Sequence, residues 1–177
     1  MIYHPSDWDL NVHDPTGIAF RELERAMRVR RLLPSELKVV VEGKPLQYVP
    51  PCHVFVRAYG NVFGLQVVDG ICVRIEHIES SLTERKVTIG EIGHSWLELN
   101  VAPRCRVILD IFPDLHCPVF PIVQRFPHPA YQRPSTEAEQ TLFRDLKRNA
   151  EFNARLADVT AAIQHLAETH SLLQLPT

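Results

Sequence analysis

The sequence lacks the features that mark membrane, secreted and nucleic-acid-binding proteins. No window approaches the roughly 18 uninterrupted apolar residues of a membrane helix, and the polar start MIYHPSDWDLNVHDP has no apolar segment typical of a secretion signal. Lysine and arginine number 19 against 21 for aspartate and glutamate, so no basic excess favours nucleic acid. We therefore expect a cytoplasmic protein that binds neither a membrane nor nucleic acid.

Cysteine is sparse, and its spacing argues against the commonest cysteine-based sites. The four cysteines are Cys52, Cys72, Cys105 and Cys117, and no two of them form a C-x-x-C pair. Without a secretion signal a disulfide framework is not expected. His116 and the cysteines do not provide four ligands at the spacing of a zinc site. The H-E-x-x-H motif is also absent. We expect no metal and no cofactor.

What is present is the composition of a single globular domain spanning residues 1–177. Hydrophobic residues make up 45% of the 177 residues and charged residues 23%. Helical patterns flank a central group of strand patterns, and strands grouped in this way favour an α+β fold over an alternating one. We predict an antiparallel sheet packed with an N-terminal helix and a cysteine-bearing helix, plus a long C-terminal helix.

The two ends of the chain carry the clearer helical patterns. Asp14 and Pro15 favour the start of a first helix and Pro34 its end. Its predicted apolar stripe consists of Phe20, Leu23, Met27 and then Leu32 or Leu33. The same helix carries a basic cluster, which we interpret as a solvated face, formed by Arg25, Arg28, Arg30 and Arg31.

The C-terminal third begins with a proline-rich segment, residues 113–134, which contains six prolines and predicts a stiff stretch that wraps the domain. Thr136 and Glu139 then form a capping box. From this start we predict one long helix over residues 136–173. Its apolar face could pack on the domain or on a second copy of the chain, so a homodimer through this helix is an expectation.

The central third contains a helix and several strands. PPCHVFVRAYGNVFG fits a helix or a strand, and we favour a helix that starts at the two prolines. LQVVDGICVRIEHI fits a strand, or a hairpin with Asp69-Gly70 at its turn or bulge. GHSWLELN alternates, so Ser95, Leu97 and Leu99 lie on the face opposite to His94, Trp96 and Glu98. CRVILDIF is typical of a buried central strand.

His94 and Asp110 lie on two of these predicted strands and suggest chemistry. If the strands are antiparallel neighbours, the carboxylate can accept a hydrogen bond from one ring nitrogen and leave the other nitrogen for a substrate. The simpler interpretation is a partly buried histidine with satisfied hydrogen bonds and a carboxylate that caps a loop.

Cys52 supplies a candidate nucleophile. It follows Pro50 and Pro51, where the predicted helix starts, and helix N-termini favour the thiolate. The unpaired backbone N–H groups of a helix start could also bind the oxyanion of a tetrahedral intermediate. The alternative is an inert buried thiol.

These motifs resemble the transglutaminase-like cysteine hydrolase superfamily, which is related to papain-like folds. The resemblance lies in a cysteine that opens a helix, followed by VVDG, GHSWLEL and VILDIFPD, and it covers roughly residues 47–114. His94-Ser95-Trp96 matches the H-[AS]-W pattern of that superfamily. Asp110 is followed by Ile111 where the family often has Asp-Pro, which is a departure. The resemblance implies Cys52 as nucleophile, His94 as base and Asp110 as the group that orients it.

Further residues are implied as supporting groups. Gln47 lies near the position of an oxyanion glutamine in papain-like enzymes, and the equal alternative is an ordinary surface residue. Asp114 is an alternative third member if Asp110 points into the core. His53 could be a local hydrogen-bond partner, although on a helix it points about 100° from the thiol. Trp96 could shield the site from water or simply fill the core.

The implied function is a cysteine-dependent hydrolase or acyltransferase that acts on an amide- or ester-type acyl bond of a peptide or small acyl substrate. The alternative is a non-catalytic descendant of the same fold that binds a peptide or protein through the cleft.

Overall fold

A computed structural model describes residues 16–80, 85–111, 122–125, 127 and 131–174 of the chain. The helices are α1 (Ile18–Leu32), α2 (Cys52–Phe63), α3 (Glu137–Arg148) and α4 (Ala150–Thr169). The strands are β1 (Leu37–Val41), β2 (Lys44–Tyr48), β3 (Gln66–Ser80), β4 (Arg85–Ala102), β5 (Cys105–Asp110), β6 (Ile122–Arg125) and β7 (Tyr131–Gln132).

The strands form two antiparallel sheets. In the described part of the chain, β1 and β2 form a hairpin of their own, and the other five strands form a sheet in the order β6-β5-β4-β3-β7. Helices α1 and α2 contact this sheet, and α4 packs on α1, on α2 and on strand β1 of the hairpin. The predicted α+β class, with an antiparallel sheet, an N-terminal helix, a cysteine-bearing helix and a long C-terminal helix, is confirmed.

Over residues 94–99, strand β4 lies inside the sheet with both faces covered. Leu97 and Leu99 pack into the core that the helices share, whereas Trp96 packs on the other face with Val68 and Ile108. The alternation predicted for GHSWLELN is therefore present. The predicted central position of β5 is also present, because it pairs with β4 on one side and β6 on the other.

Strand β3 is continuous where the sequence left a turn or a bulge open. Asp69 pairs with Ser95 and Gly70 pairs with His94, so the Asp-Gly pair lies within the ladder. A Cβ on Gly70 would lie 2.3 Å from Cη2 of Trp96, which is closer than a real contact allows. The backbone carbonyl oxygen of Gln132 would lie even closer, at 2.2 Å, so the glycine is required by the close approach of β7 and of the indole ring and not by a turn.

Helix α2 begins at Cys52, as the two prolines predicted. Pro51 is its N-cap, and Gly64, with φ of 66°, ends it in the left-handed conformation that glycine adopts without strain. At Gly60 an added Cβ would lie 2.3 Å from Cγ2 of Val67, so the helix packs closely on β3. This close packing fixes the C-terminal end of the helix against β3.

Helix α1 uses its predicted apolar stripe only in part, since Leu23 and Leu33 pack against the core but are not fully buried. Met27 is 41% exposed and Leu32 is 39% exposed, and Arg25, predicted on a solvated face, is buried. The residues that α1 buries are Ala19, Glu22, Arg25, Ala26 and Val29. Arg25 can be buried because Glu22 and the Tyr59 hydroxyl satisfy its guanidinium. Asp14 and Pro15 lie outside the described residues.

The predicted helix over residues 136–173 is two helices, although the second is long. Asn149 is extended, with ψ of 123°, and separates α3 from α4. Its side chain accepts a hydrogen bond from the backbone N–H of Phe152, so it caps α4 instead of continuing α3. The predicted capping box of Thr136 and Glu139 is present at the start of α3.

Helix α4 packs within its own chain. Phe152, Val159, Ile163 and Ala167 are buried, and the helix contacts α2. The homodimer thus stays a prediction, and its original motivation, an unpartnered apolar face on this helix, is gone. Of the proline-rich segment, residues 113–121, 126 and 128–130 lie outside the described part, so its predicted wrapping role stays a prediction as well.

Candidate active site

Cys52 is the first residue of α2, and its thiol is partly buried. No side chain caps this helix start. In the first turn, the backbone N–H groups of Val54 and Phe55 both donate to the carbonyl of Pro51. The N–H groups of Cys52 and His53 precede these bonds and lie outside the helical ladder. Two donors therefore lie next to the thiol.

His94 and Asp110 meet on neighbouring strands. Leu97 of β4 pairs with Leu109 of β5, and this register places Asp110 diagonally across from His94 on the same face. Nε2 of His94 lies 2.8 Å from Oδ2 of Asp110, and both side chains are at least 95% buried. The Tyr131 hydroxyl donates to the same oxygen at 2.9 Å. A carboxylate that accepts two hydrogen bonds holds the imidazole in a fixed orientation.

The second ring nitrogen of His94 is available to the thiol. Nδ1 is buried and makes no hydrogen bond to a nitrogen or oxygen atom, and the Cys52 thiol is the group besides Asp110 that acts on the ring. Burial alone would lower the pKa of His94, but the charge and the hydrogen bond of Asp110, together with the Cys52 thiol, raise it to about 10. The thiol therefore lies close enough to act on the ring, and Nδ1 is the nitrogen that Asp110 leaves free. The imidazolium is the form that these surroundings favour at neutral pH.

Trp96 lies on the same face as His94, two residues along β4. It is 1% exposed, and its ring meets that of Tyr131 edge-on, with 5.2 Å between the ring centroids. Its indole also covers the backbone of Gly70, the residue that pairs with His94. Trp96 thus covers the sheet next to the His94–Asp110 pair and reduces the access of water to it. Its Nε1 is buried without a hydrogen-bond partner.

His53 contacts Ser95, whose side chain lies on the face of β4 opposite to that of His94. Its Nδ1 is 2.7 Å from Oγ of Ser95, and its ring meets Phe143 edge-on. Burial lowers the pKa of His53 to about 4, although the nearby Asp69 carboxylate opposes this. His53 is therefore neutral at physiological pH. The expectation of a local hydrogen-bond partner fits this position, with Ser95 and not the thiol as the partner.

Gln47 does not join the other predicted residues. It lies on β2, in the separate hairpin, where its exposed side-chain amide donates to Glu36. The prediction of an oxyanion glutamine at this position is wrong, because the tight hairpin pairs Lys38 with Gln47 and turns the amide towards solvent. Asp114 lies outside the described residues. The backbone N–H groups of Cys52 and His53 remain as candidates for oxyanion donors.

Two features of the site were missed from the sequence. Tyr131 reaches Asp110 from β7, and no spacing motif links these residues. The pair of Asp69 and Ser95 could have been found, since the register that places Gly70 opposite His94 also places Asp69 opposite Ser95. Ser95 donates to Asp69 at 2.7 Å.

No family model, curated protein or solved structure matches this chain. Within the described residues, no group of three or more histidine, cysteine, aspartate or glutamate side chains is arranged to hold a metal ion. Among those same residues, no helix has the length and hydropathy needed to cross a membrane.

Proposed function

We propose that this protein is a cysteine-dependent enzyme that acts on an acyl bond, with Cys52 as nucleophile, His94 as acid and base, and Asp110 as the group that orients His94. One observation carries the proposal. The imidazole of His94 is held at Nε2 by a buried carboxylate, its Nδ1 is left without a partner, and the thiol at a helix N-terminus acts on the same ring. This arrangement supports a resting pair of thiolate and imidazolium.

The first half of the reaction forms a thioester. The Cys52 sulfur attacks the carbonyl carbon of an amide or ester, and the resulting oxyanion accepts hydrogen bonds from the backbone N–H groups of Cys52 and His53. The bond between the carbonyl carbon and the leaving nitrogen or oxygen then breaks. The leaving group takes the proton from Nδ1 of His94, which becomes neutral.

The second half of the reaction regenerates the pair of Cys52 thiolate and His94 imidazolium. Water or an amine attacks the thioester while neutral His94 takes its proton at Nδ1. The carbon–sulfur bond breaks, and the thiolate is again paired with the imidazolium. Asp110 remains ionised throughout, because its role is to hold Nε2 and stabilise the charge on the ring. A transglutaminase-like enzyme, as the sequence resemblance implies, would use these same steps.

Thiol alkylation tests the proposal without a known substrate. The protein is treated with iodoacetamide at pH 7, and the labelling rates of individual cysteines are measured by peptide mass spectrometry. Cys72 and Cys105 serve as internal controls, because both are partly buried like Cys52. We expect Cys52 to react at least about tenfold faster, since an ordinary thiol is mostly protonated at this pH.

His94→Gln is the deciding variant, because it removes the imidazolium and leaves the thiol in place. We expect the rate advantage of Cys52 to disappear in it. Acylation by p-nitrophenyl acetate gives a second readout, with a burst of p-nitrophenolate that Cys52→Ser abolishes. Equal and slow labelling of all thiols in the unmodified protein, with no burst, would contradict the proposal and favour a non-catalytic binding module.

A further inference from the structure

A chain of hydrogen bonds runs behind the candidate active site, on the helix-facing side of the sheet. Nδ1 of His53 lies 2.7 Å from Oγ of Ser95, and the same oxygen lies 2.7 Å from Oδ1 of Asp69. Ser95 is fully buried, with an exposed fraction of 0%. The mechanism proposed above uses none of these three side chains.

The direction of each bond follows from the chemistry of the three groups. An ionised carboxylate only accepts, so the Ser95 hydroxyl donates its proton to Asp69. The hydroxyl oxygen is then the acceptor for His53 in the tautomer that carries its proton on Nδ1, and the backbone of Gly93 is a second hydrogen-bond partner of the ring. Both bonds of Ser95 are defined, and its hydroxyl cannot rotate without breaking one of them.

Side chains from two helices contact the Asp69 and His53 ends of this series of hydrogen bonds. Arg57, on the same helix as His53, forms an ion pair with Oδ2 of Asp69. Lys147 of α3 lies 3.5 Å from the same oxygen. Phe143, also on α3, packs edge-on against the His53 ring, with 5.8 Å between the centroids. Asp69 and His53 are thus fixed on both sides.

The positions of these residues in the sequence link them to the candidate active site. His53 directly follows Cys52 on α2, and Ser95 directly follows His94 on β4. The bond between His53 and Ser95 therefore joins the two elements that carry the nucleophile and the base, one residue beyond each. Ser95 is too deeply buried to be a second nucleophile.

We propose that Ser95 and His53 are positioning residues that set the distance between the Cys52 sulfur and Nδ1 of His94. The inference rests on the proposed function and deepens it. The Cys52 thiol and the His94 ring lie on two separate elements, α2 and β4, so the distance between them depends on how these elements are held together. The spacing must come from the surrounding structure, and a misplacement of about 1 Å at such a site can cost about a hundredfold in rate.

The first test removes the Ser95 hydroxyl. Ser95→Ala is expected to slow iodoacetamide labelling of Cys52 at pH 7 by about tenfold and to shift its pH profile towards that of an ordinary thiol. Ser95→Thr keeps the hydroxyl and is expected to restore most of the rate. Thr160→Ala is the matched control, because it also removes a hydroxyl bonded within the chain, on α4. This control variant should leave the rate and the pH profile of Cys52 labelling unchanged.

The second test changes His53 and does not depend on the buried Ser95 variant being folded. His53→Asn places a donor near the position of Nδ1, whereas His53→Phe keeps ring packing on Phe143 and removes the donor. We expect the phenylalanine variant to slow Cys52 labelling and the asparagine variant to restore it. In the double variant of Ser95→Ala and His53→Phe, the two losses should not add, because both break the same bond.

The outcomes separate this inference from the proposed function. If His94→Gln slows Cys52 labelling but Ser95→Ala and His53→Phe do not, the positioning inference is overturned and the proposed function stands. If His94→Gln has no effect, the proposed function fails and the inference fails with it. If labelling of Cys105 changes as much as that of Cys52, the variants loosen the whole fold, which also overturns the inference.

Discussion

Two buried polar clusters in this molecule differ in one respect. Glu22, Arg25 and Tyr59 join α1 to α2, with both carboxylate oxygens of Glu22 bound by Arg25 and the Tyr59 hydroxyl donating to Glu22 at 2.5 Å. His94 and Asp110 join β4 to β5 but leave Nδ1 of His94 without a partner. Both clusters remove charge from water, yet only the second leaves a reactive position open.

The difference separates a structural cluster from a chemical one. Arg25 also reaches the carbonyl oxygens of Leu172 and Leu173 and packs over the Phe63 ring, so little of its guanidinium is unsatisfied. An unpartnered buried nitrogen is costly, and native proteins seldom keep one without a use. At His94 the neighbouring thiol gives that nitrogen a use.

The largest expected effect comes from a substitution in the cluster of Glu22, Arg25 and Tyr59, which we call the closed cluster because its polar groups are paired. Glu22→Gln removes the carboxylate and leaves Arg25 buried with its charge unpaired. Because arginine cannot lose its proton, the free energy of unfolding should fall by roughly 3–5 kcal/mol. Urea unfolding measures this change. The labelling ratio of Cys52 to Cys105, measured while the variant is folded, should not change, and a change would mean that the two clusters are coupled.

A smaller effect is expected from removing the carboxylate of the His94–Asp110 pair, which we call the open cluster. Asp110→Asn removes the carboxylate, but His94 can lose its proton and become neutral, which arginine cannot do. The free energy of unfolding should fall by roughly 2–3 kcal/mol, the upper part of the range for a bond to a charged group. Cys52 labelling at pH 7 should slow at least about tenfold, because the imidazolium that activates the thiol is no longer stabilised. A loss of stability without a change in labelling would show that Asp110 has a structural role alone.

The smallest expected effect is a dependence of stability on pH that only the open cluster shows. Asp110 and Cys52, acting against burial, raise the pKa of His94 from 6.5 to about 10 in the folded protein. Its contribution to the free energy of unfolding is therefore full below pH 6.5 and is lost as the pH rises through about 10. The difference in stability between the unmodified protein and His94→Gln should fall by roughly 1–3 kcal/mol between pH 6.5 and pH 9.

The closed cluster supplies the control for this pH dependence. Arg25 stays charged over the range, and burial and Glu22 raise the pKa of Tyr59 above its ordinary value of 10. The Tyr59 contribution is thus full below pH 10 and does not change between pH 6.5 and pH 9. A stability difference for His94→Gln that is flat over this range would mean that His94 is not charged in the folded state.

The open cluster was easier to predict from the sequence than the closed one, for a physical reason. The alternation around His94 and the two prolines before Cys52 are local patterns that fix which face a strand presents and where a helix starts. The burial of Arg25 depends on Tyr59, which lies 34 residues away on another helix. Local patterns assign an arginine to the solvent, and only a distant partner reverses this.

The remaining errors also come from non-local structure. Gln47 was assigned by its distance in sequence from Cys52, but the pairing of β1 with β2 decides where its amide lies. The break at Asn149 was missed because the apolar pattern continues across it, whereas the side-chain cap on Phe152 favours a new helix. Tyr131 was missed because only the folded sheet brings β7 near Asp110.

The protonation state of His94 is the central claim, and NMR titration of ¹⁵N-labelled histidine measures it directly. The His94 signals, assigned by their loss in His94→Gln, should be those of an imidazolium at pH 7 and should titrate near pH 10. The midpoint should fall in Cys52→Ala and fall further in Asp110→Asn, because Asp110 contributes more to the raised pKa. A midpoint near 6.5 that neither variant moves would contradict the pairing of the thiol, the imidazole and the carboxylate.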